Sequence, residues 1–113
     1  VPVQRPRAPA KAAVAPRGRD TAREETELVA AARNALAEQD WARALATLDE
    51  HARRFADGVL AEERSALRAI ALCRSGAEPA RAAVLDFDSR YPGSHHHRSI
   101  ELACDERSEI APP

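Results

Sequence analysis

Three observations in this chain of 113 residues predict an all-α fold. Apolar residues recur at steps of three and four along most of its length. No stretch alternates apolar and polar residues as a half-buried strand does, and β-branched residues are few. Helix start and stop signals then divide the periodic region into five segments.

Helix one is expected to start after Thr21. Thr21-Ala22-Arg23-Glu24 reads as a capping box, in which the Thr oxygen takes the N–H three residues on and Glu24 reaches back. Leu28, Ala31, Ala32, Ala35 and Leu36 supply its apolar face, and it ends near Glu38. Asp40 is a favourable N-cap for helix two. Trp41, Leu45, Leu48, Ala52 and Phe55 follow as one stripe, and Gly58 stands where a C-terminal glycine takes positive φ. Helix three runs from about Leu60 to Ser75 and stops at Gly76, with Leu60, Leu67, Ile70 and Ala71 inward and Leu72 and Cys73 beside them. Helix four opens with Pro79, whose missing N–H has no partner in a first turn anyway. Ala80, Val84, Phe87 and Tyr91 form its stripe, and Pro92 stops it. Ser94 caps helix five, where His97, Ile100 and Cys104 share a face.

Composition bounds the class. Apolar residues are 44% and charged residues 31%, a globular balance. Alanine supplies 26 residues, and Trp41, Phe55, Phe87 and Tyr91 are the aromatics. These values exclude a collagen, a dense disulfide scaffold and a transmembrane bundle, since no run approaches the roughly 18 apolar residues of a spanning helix. The chain has no Met, which reads as a processed product or a fragment.

Charge is unevenly placed. Residues 1–20 hold five basic residues, one acid and four prolines, for a net +4. Residues 21–113 hold 12 basic and 17 acidic residues, for a net −5. The expected organisation is a disordered Pro/Ala-rich linker over 1–20, a helical domain over 21–108 and a frayed C-terminus over 109–113. The alternative for the linker is a basic arm for nucleic acid or anionic lipid. Its cations are spread out with no aromatic between them to stack on bases, so no nucleic-acid partner is expected.

The body matches itself when slid by 36 residues. Ala35-Leu36 falls on Ala71-Leu72, Asp40 on Gly76, Ala44 on Ala80, Leu48 on Val84, Arg54-Phe55 on Arg90-Tyr91 and Gly58 on Ser94. The period is close to the ~34 residues of a tetratricopeptide repeat, in which each helix pair leaves a face for its neighbour to cover. Phe87-Asp88-Ser89-Arg90-Tyr91-Pro92-Gly93-Ser94 resembles the F-x-x-x-Y-P-x-S ending of repeats in tetratricopeptide proteins of the bacterial outer-membrane-lipoprotein and cell-division-coordinator type. The first pair lacks the proline, reading Phe55-Ala56-Asp57-Gly58. The resemblance spans Glu25 to Cys104. It implies a right-handed solenoid of two helix pairs plus a capping helix, protein–protein contacts, and the C-terminal domain of a membrane-anchored envelope protein.

Residues that carry chemistry are sparse. Cys73 and Cys104 sit on or beside the apolar stripes of helices three and five. A disulfide between them stabilises by about 3 to 4 kcal/mol in the chain-entropy model and requires an oxidising compartment. The alternative is two buried thiols. His95-His96-His97 is a consecutive run, and adjacent helical residues point about 100° apart, so no metal site is expected beyond weak adventitious binding. The acid pairs Asp49-Glu50 and Glu62-Glu63 diverge for the same reason and read as a solvated face, with His51 beside one of them. Arg64 and Arg68, one turn apart on helix three, form a candidate cationic strip for an acidic peptide. The alternative for them is packing of their stems and pairing with Glu62 and Glu63. No nucleophile elbow, phosphate loop, dinucleotide fingerprint or metalloprotease motif occurs in the sequence.

The sequence therefore predicts a non-enzymatic interaction module without cofactors, whose partner is another protein or peptide. It belongs on the extracytoplasmic face of a Gram-negative envelope, attached to the membrane only through a segment upstream of Val1. The alternatives are a cytoplasmic regulatory or sensory domain with free thiols, and a weak metal or nucleic-acid binder.

Overall fold

The structure is a computed structural model that describes residues 7–110, with side chains described over 20–105. It is all-helical among the described residues: α1 (Arg7–Ala37), α2 (Trp41–Arg54), α3 (Ala61–Ser75), α4 (Ala80–Arg90) and α5 (His97–Ile110). No helix among them is long and apolar enough to cross a membrane.

Helix α1 begins at Arg7 rather than after Thr21, so it takes in residues 7–20 of the expected linker. Five alanines between Arg7 and Pro16 favour helix, but Pro16 and Gly18 separate them from Thr21 and both disfavour a helix interior, so no local preference accounts for the continuous helix. Residues 1–6 of the linker and 111–113 of the expected frayed end lie outside the described residues.

Each later boundary has a local cause. The α1–α2 turn is a Schellman motif, with Asp40 N–H donating to the Ala35 carbonyl and Gln39 N–H to the Leu36 carbonyl. Gln39 takes φ 61° there. Asp40 then caps α2, its carboxylate accepting from Arg43 N–H. The α3–α4 turn has the same pattern, Ala77 N–H to Leu72 and Gly76 N–H to Cys73, with Gly76 at φ 75°.

The two turns that follow α2 and α4 also share their bonds, 36 residues apart. Phe55 N–H donates to His51, Gly58 to Phe55 and Ala61 to Gly58, while Tyr91 donates to Phe87, Ser94 to Tyr91 and His97 to Ser94. The same step sets the ring pair His51–Phe55 (5.5 Å) opposite the ring pair Phe87–Tyr91 (5.1 Å).

The first three helices pack antiparallel in succession. Between α1 and α2, Glu24 meets Arg54 while Glu38 meets Arg43. Between α2 and α3, His51 meets Arg64 and Asp49 meets Arg68. Alternate helices run parallel: Glu25 reaches Leu60 and Arg33 reaches Glu63, while Glu62 lies by His95 and Cys73 joins Cys104.

Helix α3 is central and carries six buried residues. One of its faces, with Ala66, Ala69, Ile70 and Cys73, packs around Phe87 of α4 and Ile100 and Ala103 of α5. Its other face, with Ala71 and Leu67, packs on Ala35, Leu36 and Ala44. Alanines at these crossings let the helix backbones approach closely, so a core poor in aromatics still closes.

Three of the expected stripes shift. On α1 the buried residues are Glu25, Val29, Ala32, Ala35 and Leu36; Leu28 is half-buried and Ala31 exposed. On α2 they are Ala44, Leu48 and His51, and Phe55 is only half-buried. On α4 only Phe87 is buried, with Ala80, Val84 and Tyr91 half-buried against it. On α1 and α2 a charged or titratable side chain holds a core position, which a count of apolar residues passes over.

Candidate functional site

Glu25 and His51 are the buried polar residues among the described side chains, 4% and 0% exposed. The slide by 36 residues sets His51 on Phe87, the largest buried side chain, so His51 occupies the aromatic core position of the first helix pair. A buried imidazole costs free energy unless its nitrogens are bonded. Here Nε2 lies 3.0 Å from Glu25 Oε2, and Nδ1 lies 3.1 Å from an Arg64 guanidinium nitrogen. Arginine only donates and a carboxylate only accepts, so the ring is neutral with its proton on Nε2. Glu25 Oε2 also accepts the Leu60 N–H at 2.9 Å, and Arg64 donates to the Phe55 carbonyl at 3.2 Å. The network joins α1, α2 and the start of α3.

This arrangement corrects the cationic strip. Arg64 turns inward between α2 and α3, where it donates to the His51 nitrogen and to the Phe55 carbonyl, which also accepts the Gly58 N–H. Arg68 is exposed and lies 3.8 Å from Asp49 of α2. The two arginines therefore present no joint outer face. A carboxylate beside a histidine also has the parts of an acid–base pair, and here the imidazole is 0% exposed.

The expected positive φ at Gly58 is also corrected, because among the described glycines only Gly76 has one. Gly58 is needed for space. A Cβ there would lie 2.1 Å from Glu25 Oε2. Gly58→Ala should displace the carboxylate from His51 and Leu60 and cost about 2 kcal/mol, the scale of hydrogen bonds to a charged group. The urea midpoint measures this. In a Glu25→Ala background the same change should cost far less, since both substitutions remove one interaction.

Burial is the largest cause holding the His51 pKa below its ordinary 6.5, and the Arg64 charge acts the same way against the bond and charge of Glu25. The unfolded chain takes up a proton near pH 6.5 that the folded chain refuses. Stability is thus full above that pH and falls as pH drops below it. The urea midpoint should fall between about pH 7.5 and 5.5, and less steeply in His51→Gln. His96, also held below 6.5 and first by burial, accounts for part of the remaining slope.

On the side formed by the parallel helices α1, α3 and α5 runs a groove of about 470 Å³. Leu36, Leu67, Ile70 and Leu102 give it an apolar lining, and Arg33 and Arg74 stand along it. Leu102 is 47% exposed there. Arg33 pairs with Glu63, whose side chain is 17% exposed.

At the His96 end of the groove the turn before α5 corrects the reading of the histidine run. His95 and His96 precede the first helical residue, His97, so the 100° helical step does not separate them. Their rings lie 4.1 Å apart, and Ser94 Oγ accepts the His96 N–H at 3.0 Å. Glu62, in the first turn of α3, joins them, the three ligand atoms lying within 4.8 Å of one another. His97 points elsewhere, with Nε2 2.9 Å from the Tyr91 carbonyl and Nδ1 3.0 Å from Asp88. The acid pair Glu62-Glu63 is thus half-buried rather than a solvated face, with Glu63 lining the groove.

Cys73 and Cys104 are joined by a disulfide with a Cα–Cα distance of 4.9 Å, and neither lines the groove. Comparison with protein-family models, curated proteins and solved structures gives no match.

Proposed function

We propose that this chain is a non-enzymatic interaction module, a tetratricopeptide-like stack whose groove on α1, α3 and α5 takes an apolar segment of another protein. The observation that carries the reading is the partly apolar groove along three parallel helices, with Leu102 held half-exposed at its edge. Parallel alternate helices and turns that bond alike 36 residues apart support the stacked arrangement. The buried Glu25–His51–Arg64 network fastens the first pair to α3 and leaves this face open. The disulfide supports an oxidising compartment, the extracytoplasmic face of a bacterial envelope, with no metal or cofactor required for binding.

The test is crosslinking in the cell that makes the protein. A photoreactive residue at position 102 should give one protein adduct, and the same residue at position 85 of α4 should not, although Leu85 is 59% exposed. Leu67→Glu, with helicity checked by circular dichroism, should abolish the adduct. Equal adducts from both faces, or none, would overturn the groove as the binding surface.

A further inference from the structure

We infer that Glu62, His95 and His96 form a binding site for a zinc-class divalent transition metal at the end of the groove. Zinc binds imidazole nitrogens and carboxylate oxygens at about 2.0–2.2 Å, and three protein ligands with one open position are a common arrangement. Two such ligands on a tetrahedral ion stand about 3.4 Å apart. Ligand atoms within 4.8 Å must therefore draw in by about 1.4 Å at most. Small turns of the exposed His95 ring and the Glu62 side chain supply that movement.

Three features make the cluster more than a run of histidines. Its ligands come from two elements, the first turn of α3 and the turn before α5. The Ser94 bond to the His96 backbone fixes the turn that places both rings on one side. His97, the third of the run, is engaged with Tyr91 and Asp88. The ion would clip the start of α5 to the start of α3, while the disulfide joins the same parallel helices farther along. His96, one of the three ligands, also lines the groove.

The test is titration of Zn2+ into the oxidised, tag-free protein, followed by calorimetry and by thermal unfolding. One ion per chain should bind, and saturating Zn2+ should raise the Tm, because an ion held only by the folded arrangement stabilises it. Glu62→Gln and His96→Gln should each weaken binding by about tenfold or more, at least the effect of losing an outer-shell partner. They should also remove the Tm rise, while His97→Gln should keep both. Binding of equal strength in Glu62→Gln would show an adventitious chelate of the histidine run and overturn the site. So would a Tm that does not respond to Zn2+.

Discussion

Phe87→Ala should cost about 3–5 kcal/mol, and toward the upper end of that range. The ring is 1% exposed. It packs with Tyr91 at 5.1 Å and edge-on to His97 at 5.4 Å, inside a cluster that includes Ile70 and Ile100. Much of the rest of that cluster is alanine: Ala66, Ala69 and Ala103. Alanine has no rotamers with which to fill a cavity, and the disulfide holds α3 and α5 where they are. The hole therefore stays open, which is the condition for a large penalty. Small domains have only about 5–15 kcal/mol of stability in total, so the variant should unfold at a much lower urea concentration. Phe55→Ala gives the contrast. Its ring is half-buried beside His51 and under the Arg54 guanidinium at 5.1 Å, and its loss should cost less than half as much. A loss below about 1 kcal/mol at Phe87, the range of surface changes, would mean that the α3–α4–α5 core is packed differently.

The contrast between the two phenylalanines marks where the sequence is legible and where it is not. Signals that act over a few residues read directly: Asp40 as a cap, Gly76 as a stop and Pro92 after α4 each work through bonds or sterics within one turn. The start of α1 did not read, because Thr21 has the composition of a cap and Pro16 and Gly18 before it disfavour a helix interior, yet α1 runs through both. Glu25 and His51 did not read because a pattern of apolar and polar residues assigns both to the surface. Their partnership spans 26 residues in sequence and exists only once α1 and α2 pack. The signal that could have found His51 was the 36-residue step, which sets it on the core position of Phe87. Gly58 likewise has two possible reasons to be glycine, and only the Glu25 carboxylate beside it selects space over φ. The cluster of Glu62, His95 and His96 depends on the turn before α5, since the same residues in a regular helix would diverge.

Reduction of the Cys73–Cys104 bridge should cost about 3–4 kcal/mol, the chain-entropy value for closing a loop over its sequence separation of 31 residues. The loss should not spread evenly. The bridge leaves all of α1 and α2 outside its loop and joins α5 to α3. Helix α5 has 14 residues, a length at which an isolated helix is marginal in water. Its packing partner is α3, through Ile100 and Ala103 on Ala66, Ala69 and Ile70. Once the bridge is cut, that contact and the side-chain contacts of His97 with Phe87, Tyr91 and Asp88 are what oppose fraying, so α5 should open before the rest of the domain. Limited proteolysis of the reduced protein should then cleave first within residues 94–108 and leave α1 to α3 intact. The Cys73→Ala/Cys104→Ala variant should show the same cleavage without reductant, which separates loss of the bond from any effect of the thiols. Uniform cleavage, or a urea midpoint unchanged by reduction, would show that α5 is held by packing alone.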